Sequence, residues 1–415
     1  MSLPYLTIDA ARRRVSLDPR DPAFYGDPYA AYRAIRRAAP AFFWEQYGFW
    51  CFSDHADVAA LLRDKRFGRQ VLLVASRAEL GWAEPGAHLA PFQAVERHSL
   101  LELEPPEHTR LRTLINRAFV SRQVERLAPR IAALAHTLID GFIGEGEVDL
   151  LARYATPIPV IVIAELLGVP ADMAGSLLDW SHRMVAMYQF GVTRAVEDRA
   201  AAAAGEFSAF LRAYVRRRRA TPRDDLISQL ISAEAEGGRL DEDELIATCI
   251  LVLNAGHEAT VHSLANGVKT LLENGADATR IFATPESRAS AIDELLRFDA
   301  PLHLFTRYAL EDCEYAGIAL RQGDRIGLLL GAANRDPARF TDPESLDFAR
   351  SPNPHVGFGG GIHFCLGAPL ARLEMEIALP ILFERLPGLR IAGPLAYRDS
   401  YHFHGLESLP AIWQL

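Results

Sequence analysis

Apolar residues recur at helical spacing in several long stretches of the chain, and these stretches predict helices. The longest covers residues 241–272, where four acidic residues fill the first turn and residues 245–253 are almost wholly apolar. Negative charge favours a helix N-terminus, and a helix that is apolar on all sides is expected to be buried. The same spacing predicts helices over residues 107–119 and 368–383.

Aromatic-rich or alternating stretches predict strands elsewhere. Residues 41–52, AFFWEQYGFWCF, carry a glycine between two aromatic runs, which predicts a β-hairpin. Residues 308–331 alternate and contain two glycines, as is typical of short antiparallel strands, and residues 393–415 also predict strands. The first twenty residues are expected to form a loosely held arm.

Composition narrows the class of protein. The 415 residues suffice for one large domain or for two or three small ones, and the net charge of −9 argues against general binding to nucleic acid. The four cysteines are far apart, which argues against a disulfide framework or a zinc site. Because there is no apolar run of membrane-spanning length and no signal-peptide pattern, we expect a cytoplasmic protein that does not enter a membrane.

One cysteine stands in a glycine-rich loop directly before the predicted helix 368–383. Cys365 lies in the stretch FGGGIHFCLG, residues 358–367. Glycines let the backbone pass close to a flat group, and a helix N-terminus lowers the pKa of a nearby thiol. The arrangement suits a thiolate ligand to iron, although the residues alone also allow a small buried core cysteine.

The pattern F-G-x-G-x-H-x-C-x-G resembles the haem loop of the cytochrome P450 family, in its soluble bacterial form. The residues that match it place for place are Phe358, Gly359, Gly361, His363, Cys365 and Gly367. The resemblance implies that Cys365 is the axial thiolate of haem b and that Phe358 packs over the sulfur side of the macrocycle. It also implies that His363 faces a haem propionate and that Gly367 belongs to the cofactor-binding loop.

Two further segments bear on the propionates. His108 and Arg112 are four residues apart and therefore share one face of the predicted helix 107–119. The residues alone also allow a solvated basic face. The family has an H-x-x-x-R pair that binds a propionate here, so the resemblance assigns that role to His108 and Arg112. Arg307 matches the arginine that binds the second propionate.

A polar cluster, Asn254-Ala-Gly-His-Glu-Ala-Thr260, interrupts the apolar part of the long helix. Buried polar groups need partners or a function, and a satisfied hydrogen-bond cluster that kinks the helix is the alternative to a catalytic role. The cluster resembles the family motif A/G-G-x-acid-Thr-Thr/Ser. The resemblance implies that Ala255 lies against the haem and that Glu258 and Thr260 take part in oxygen chemistry.

Ala259 departs from that motif, because the family usually has there the alcohol that delivers protons during oxygen activation. Three hypotheses are open. Thr260 could act through a water molecule, an ordered water could connect Glu258 to the oxygen, or a hydroxyl of the substrate could complete the relay.

Glu294 and Arg297 form an E-x-x-R pair three residues apart, so their side chains can bridge on one helix face. Most such pairs are surface salt bridges of less than about 1 kcal/mol. In the family the pair is buried beside the haem loop and joined by a later arginine, for which Arg350 is the candidate. Its expected role is structural.

The resemblance spans residues 21–413 and implies one mainly α domain over residues 21–415, following the arm of residues 1–20. A smaller β-rich lobe would come mostly from residues 41–70, 302–331 and 388–415. The implied activity is that of a monooxygenase that inserts one oxygen atom from O2 into an apolar small molecule, by hydroxylation or epoxidation. The alternatives are a haem-thiolate isomerase, dehydratase or oxidative coupling enzyme, and a non-enzymatic haem sensor or carrier.

Because the sequence has no Rossmann fingerprint and no flavin-binding segment, we expect electrons to come from a separate protein. The resemblance implies that this partner is a ferredoxin or a flavodoxin. A basic docking patch for such a partner could include Arg66, Arg69, Arg110 and Arg372.

Overall fold

The structure, a computed structural model, describes residues 3–118, 124–235 and 240–414, and the chain divides into two compact units. Unit 1 comprises Met1–Ser76, Ala132–Ala155 and Ala259–Leu415, and unit 2 comprises Arg77–Ile131 and Thr156–Glu258. The α-helices in the described ranges are α1 (Pro22–Gly26), α2 (Tyr29–Ala38), α3 (His55–Leu61), α4 (Ala90–Glu96), α5 (Glu107–Ala118), α6 (Ala128–Asp140), α7 (Pro157–Leu167), α8 (Ala174–Val185), α9 (Arg194–Ala220), α10 (Leu226–Ala235), α11 (Glu242–Glu273), α12 (Ala278–Ile281), α13 (Pro285–Phe298), α14 (Leu330–Ala333) and α15 (Ala368–Arg385).

All strands of the described residues belong to unit 1. They are β1 (Thr7–Asp9), β2 (Arg14–Ser16), β3 (Ala41–Trp44), β4 (Phe49–Phe52), β5 (Phe67–Gly68), β6 (Glu147–Asp149), β7 (Leu304–Ala309), β8 (Cys313–Tyr315), β9 (Ile318–Leu320), β10 (Arg325–Leu329), β11 (Arg390–Ile391) and β12 (Pro410–Ile412). A seven-stranded sheet has the order β1-β2-β3-β4-β10-β7-β5, a three-stranded sheet the order β11-β12-β6, and β8 pairs with β9.

The predicted fold class, mainly α with a smaller β-rich part, is confirmed. The hairpin predicted over residues 41–52 is β3 and β4, which pair antiparallel with Ala41 opposite Phe52. The long predicted helix is α11, and the helix predicted over residues 107–119 is α5, although residue 119 lies outside the described residues. The proposed domain boundaries stay predictions. None of the helices in the described ranges has an apolar stretch that could cross a bilayer.

The N-terminal segment differs from the loosely held arm expected for residues 1–20. Strand β2 pairs in parallel with β3, with Val15 opposite Trp44, and β1 pairs with β2. The side chains of Val15 and Leu17 are buried, and the Trp44 indole donates a hydrogen bond to the Leu17 carbonyl over 2.7 Å. Because this segment completes the edge of the large sheet and part of its core, it is a structural element of unit 1.

In unit 2, α8 and α9 pack through aromatic and apolar side chains. The rings of Trp180 and Phe207 stack with their centroids 5.1 Å apart, and Phe207 and Met184 are both buried. This pair of helices therefore uses these side chains for packing.

A buried polar network surrounds Asp299 in unit 1. Its carboxylate accepts a hydrogen bond from the Tyr29 hydroxyl over 2.9 Å and lies 3.4 Å from His404 Nε2 and 3.6 Å from Lys269 Nζ. Burial alone would raise the pKa of Asp299, but the charge of Lys269 and the hydrogen bond from His404 bring this pKa below its usual range. The network therefore favours the ionised carboxylate.

We expect this carboxylate to contribute to acid denaturation. A depressed pKa in the folded state stabilises the protein above the unfolded-state pKa of about 3.9, and that contribution is lost as the pH falls further. Below pH 4, the free energy of unfolding should therefore depend less steeply on pH in Asp299→Asn than in the wild type, by about 1.4 kcal/mol per pH unit. Urea unfolding at several pH values measures this slope. Asp399→Asn, which removes an exposed pair with Arg20, is the control and should keep the wild-type slope.

His303 lies in the core of unit 1. It is fully buried, its Nδ1 lies 2.6 Å from the Tyr32 hydroxyl, and its Nε2 lies 2.9 Å from the Ala300 carbonyl oxygen. Both ring nitrogens are thus occupied by structural hydrogen bonds.

Candidate functional site

The loop that carries Cys365 is held by its own backbone. The Cys365 N–H donates to the Phe358 carbonyl over 3.0 Å, and the Gly359 N–H donates to the Val356 carbonyl over 2.8 Å. Helix α15 begins at Ala368, two residues after the half-buried Leu366, with Gly367 as its N-cap and Pro369 in its first turn. The prediction that Cys365 directly precedes a helix N-terminus is confirmed, and its half-buried thiol is not in a disulfide.

Two glycines of this loop are needed for its backbone conformation and for its close packing against other residues of unit 1. Gly359 and Gly361 have φ of +70° and +67°. A Cβ on Gly361 would lie 2.3 Å from the Leu62 carbonyl oxygen, and one on Gly359 would lie 3.0 Å from the Phe305 ring. Their immediate role is therefore to let the loop turn tightly against neighbouring backbone and side chain, in addition to any room they leave for a ligand.

Gly361→Ala should destabilise the protein more than a positive φ alone explains. The left-handed conformation costs an alanine about 1–2 kcal/mol, and the contact with the Leu62 carbonyl oxygen adds to that cost. Gly317→Ala is the matched control, because Gly317 has φ of +68° and no atom of the described residues lies within 4 Å of a Cβ added there. Urea unfolding of both variants measures the difference, and equal losses of stability would contradict the role of the Leu62 contact.

Phe358 is framed by a charged cluster in unit 1. The Arg372 guanidinium lies 4.5 Å from the centre of the Phe358 ring, and its Nε donates to Asp293 over 2.8 Å. Burial would raise the pKa of Asp293, but the hydrogen bond from His355 and the charge of Arg372 lower it. The cluster fixes the orientation of the Phe358 ring through a cation–π contact.

The four arginines proposed as a docking patch each have a local contact. Arg66 pairs with Asp64 at 2.6 Å, Arg372 pairs with Asp293, and in unit 2 Arg110 pairs with Glu244. Arg69 donates to the Thr306 hydroxyl over 3.0 Å. Carboxylates thus offset the charges of Arg66, Arg110 and Arg372 within their own units, and a docking role for the four arginines stays a prediction.

The E-x-x-R pair is buried, as the resemblance implies. Glu294 and Arg297 are both 0% exposed, and the guanidinium binds both carboxylate oxygens over 2.8 Å. Arg350 Nε donates to Glu294 over 3.1 Å, which confirms it as the third member. The second face of Arg297 donates to the carbonyls of Asn334 and Pro343 over 2.9 Å each. The triad therefore ties α13 to the segment that leads into the cysteine loop.

The predicted propionate ligands are divided between the units. In unit 2, His108 and Arg112 lie one turn apart on α5, and His108 is buried and Arg112 half-buried. In unit 1, Arg307 is a buried residue of β7, and the half-buried His363 ends a 3-10 turn before Cys365. The shared face of His108 and Arg112 is as predicted, and the role of all four residues towards a propionate stays a prediction.

Helix α11 presents a stripe of small and apolar residues. Ala255 is exposed on a helix whose other positions nearby are mostly buried, and Leu251 and Ala259, one turn away on either side, are half-buried. The next residue, Gly256, packs against α7 instead, because a Cβ there would lie 2.4 Å from the Ile163 side chain. The stripe is an apolar surface on which a flat group could rest.

In unit 1, Ile362 and Phe364 on either side of His363 are 45% and 41% exposed. Exposed large apolar side chains beside a half-buried thiol suit a flat apolar ligand that a thiolate could bind. Within the same unit, the buried Arg307 and the half-buried His363 add cations, so this part of the chain suits an apolar macrocycle with anionic substituents, such as haem.

Glu258 and Thr260, the residues expected in oxygen chemistry, are 6% and 4% exposed on α11. Glu258 Oε2 lies 3.1 Å from Nε2 of His182 and 3.3 Å from Nε2 of His257. The contact with His182 was not foreseen, because it joins α8 to α11 across 76 positions of sequence.

Glu374 of α15 is a second unforeseen feature. It is 0% exposed, and within the described part of the chain neither carboxylate oxygen has a hydrogen-bond partner. Burial raises the pKa of this carboxyl well above its usual value. Its position four residues after the buried Leu370 places an acid on the apolar face of the helix, and this break in the pattern is visible in the sequence.

The mainly helical fold with its separate sheets, and the glycine-framed cysteine before a helix, are features of haem-thiolate oxidoreductases. A model of the family described as Cytochrome P450 matches residues 289–387. The polyketide biosynthesis cytochrome P450 PksS of Bacillus subtilis (strain 168) is 35% identical over 407 residues, which cover 96% of this chain and 98% of that protein. Mycinamicin IV hydroxylase/epoxidase of Micromonospora griseorubida is 37% identical, with 88% of this chain and 89% of that protein covered.

Among solved structures, the epothilone B-bound cytochrome P450epoK is similar to this chain, with a TM-score of 0.88 and 30% sequence identity over 96% of this chain and 100% of that chain. The chain belongs to the cytochrome P450 family. It is a monooxygenase of that family, and its cofactor is haem b.

Proposed function

We propose that this cytochrome P450 inserts one oxygen atom from O2 into an apolar small molecule, by hydroxylation or epoxidation. The observation that supports this most directly is the apolar stripe of Ala255 and Ala259 on α11, with the buried Glu258 in the same turn of helix. An apolar surface beside a buried acid suits oxidation of an apolar group that needs proton delivery. The name of the mycinamicin relative, a hydroxylase/epoxidase, supports the reaction type.

Cys365 would bind the haem iron through its thiolate, and the haem would supply the oxidative chemistry. The residues that would hold the propionates, by charge-assisted hydrogen bonds, are His108, Arg112, Arg307 and His363. Phe358 would pack beside the thiolate, Gly367 would keep the backbone close to it, and Ala255 would leave room for the macrocycle. Electrons come from a separate ferredoxin or flavodoxin, and the cytoplasmic location expected from the sequence stays a prediction.

The Soret absorption of the purified ferric protein tests this proposal. The protein is titrated with terpenes, fatty acids, steroids, macrolides and aromatic acids, and a low-to-high-spin shift with one class identifies the substrate class to pursue. Mass spectrometry with isotopically labelled O2 then follows one oxygen atom into the product. Turnover without incorporation of labelled oxygen would contradict the proposal and favour an isomerase, dehydratase or oxidative coupling enzyme.

The proton relay is proposed to involve Glu258 and Thr260 in spite of Ala259. Ala259→Thr supplies the hydroxyl that the family usually has at this position, and general acid–base groups typically contribute about 10²–10⁴-fold to a rate. If Thr260 or water is a partial substitute, the variant should form more product per electron consumed. If a substrate hydroxyl completes the relay, the added side chain should instead reduce product formation. Product formed per reduced nicotinamide consumed distinguishes the two outcomes.

A further inference from the structure

Three side chains of unit 2 converge on one small volume. His257 and Glu258 are consecutive residues of α11, and His182 lies on α8. One potential ligand atom from each of the three lies within 4.8 Å of the other two, and both histidine Nε2 atoms approach the same carboxylate oxygen, Glu258 Oε2.

The hydrogen bond at Nδ1 of His257 determines which of its ring nitrogens carries the proton. Its Nδ1 lies 2.9 Å from the Leu253 carbonyl oxygen, and because a carbonyl only accepts, Nδ1 carries the proton. In the neutral ring Nε2 is therefore a bare lone pair. A backbone carbonyl that orients the second nitrogen in this way is the usual outer partner of a metal-binding histidine.

The unprotonated Nε2 of His257 faces the carboxylate of Glu258, which is unfavourable unless both atoms bind the same cation. His257 is 1% exposed, and within the described residues its Nε2 makes no hydrogen bond, although it lies 3.3 Å from Glu258 Oε2. A carboxylate oxygen is also an acceptor, so two lone pairs face each other in a site with little water. A metal ion bound to both atoms would remove this conflict.

The distances between these ligand atoms suit tetrahedral coordination of a metal ion. Bonds of about 2.0–2.1 Å to nitrogen and oxygen place neighbouring ligand atoms about 3.3 Å apart. The distances from Glu258 Oε2 to the two nitrogens are 3.1 Å and 3.3 Å. Two imidazoles, one carboxylate and a water molecule form a common ligand set for Zn²⁺, and the 44% exposed side chain of His182 gives the ion a route from solvent.

We propose that His182, His257 and Glu258 bind one Zn²⁺ ion per chain. The same ion would bind Glu258, the residue proposed for proton delivery, and this consequence rests on the proposed function. Zn²⁺ should therefore inhibit oxygenation of the substrate, reversibly and in competition with chelators.

Isothermal titration of the haem-loaded enzyme with Zn²⁺ in chelator-treated buffer tests the site. We expect one Zn²⁺ per chain in the wild type, and an affinity at least about tenfold lower in His182→Ala, which removes an exposed ligand without opening the core. His257→Ala should have the same effect. The matched control is His88→Ala, because His88 pairs with Glu197 at 2.8 Å and, among the described residues, belongs to no group of three potential ligands. This variant should bind Zn²⁺ as the wild type does.

Absence of stoichiometric binding, or unchanged affinity in His182→Ala, would overturn the site. The inhibition measurement separates the site from the proposed function. Zn²⁺ that binds with the predicted variant pattern but leaves turnover unchanged would support the metal site and contradict the role of Glu258 in proton delivery.

Discussion

Arg297→Ala is expected to lower the free energy of unfolding by about 3–5 kcal/mol, because it leaves the Glu294 carboxylate buried without its main counter-charge. Both residues are fully buried, and Arg297 also donates to two backbone carbonyls that would lose a partner. Arg350 remains at 3.1 Å from Glu294 and offsets only part of the loss. Urea unfolding measures the effect, and a weaker retention of haem should accompany it, since the triad supports the segment before the cysteine loop.

The matched control is Arg130→Ala in unit 2. Arg130 binds Glu165 with the same two-pronged geometry, at 2.8 Å and 2.6 Å, but its side chain is 46% exposed. Solvent-exposed pairs contribute about 0–1 kcal/mol, so the loss should be small. A loss of similar size in the two variants would show that burial does not determine the contribution of the Arg297 pair.

Features fixed by neighbouring residues were predictable from the sequence. Helix α11 follows from its apolar run and acidic first turn, and the β3–β4 hairpin follows from a glycine between aromatic runs. The position of Cys365 before α15 follows from the spacing to Pro369. In each case the pattern and its structural cause lie within a few turns of chain.

Features that depend on distant residues were not predictable in this way. Strand β2 forms because Arg14 finds a parallel partner at Phe43, and nothing local marks residues 14–16 as a strand. The spacing of Glu294 and Arg297 fits a surface pair equally well, and only the resemblance to a family indicated burial. His182 meets Glu258 because α8 and α11 pack, which no motif records.

Cys365→Ser is expected to remove the spectroscopic signature of thiolate ligation and to lower monooxygenase activity at least about 100-fold, since changes even beyond a metal's direct ligands cost 10–100-fold. A serine hydroxyl stays protonated near neutral pH, whereas a thiol at a helix N-terminus ionises readily. The fold should be retained, because the hydrogen bond from the residue 365 N–H to the Phe358 carbonyl does not involve the side chain.

Cys313→Ser provides the control for this substitution. Cys313 is also a half-buried cysteine of unit 1 that is not in a disulfide, but it lies on β8, and burial raises the pKa of its thiol. Its replacement should leave the Soret spectrum and the activity unchanged. Because the two variants make the same chemical change at similar exposure, only the place of Cys365 before α15 distinguishes them. A wild-type spectrum in Cys365→Ser would therefore exclude this thiol as the haem ligand and return it to a packing role.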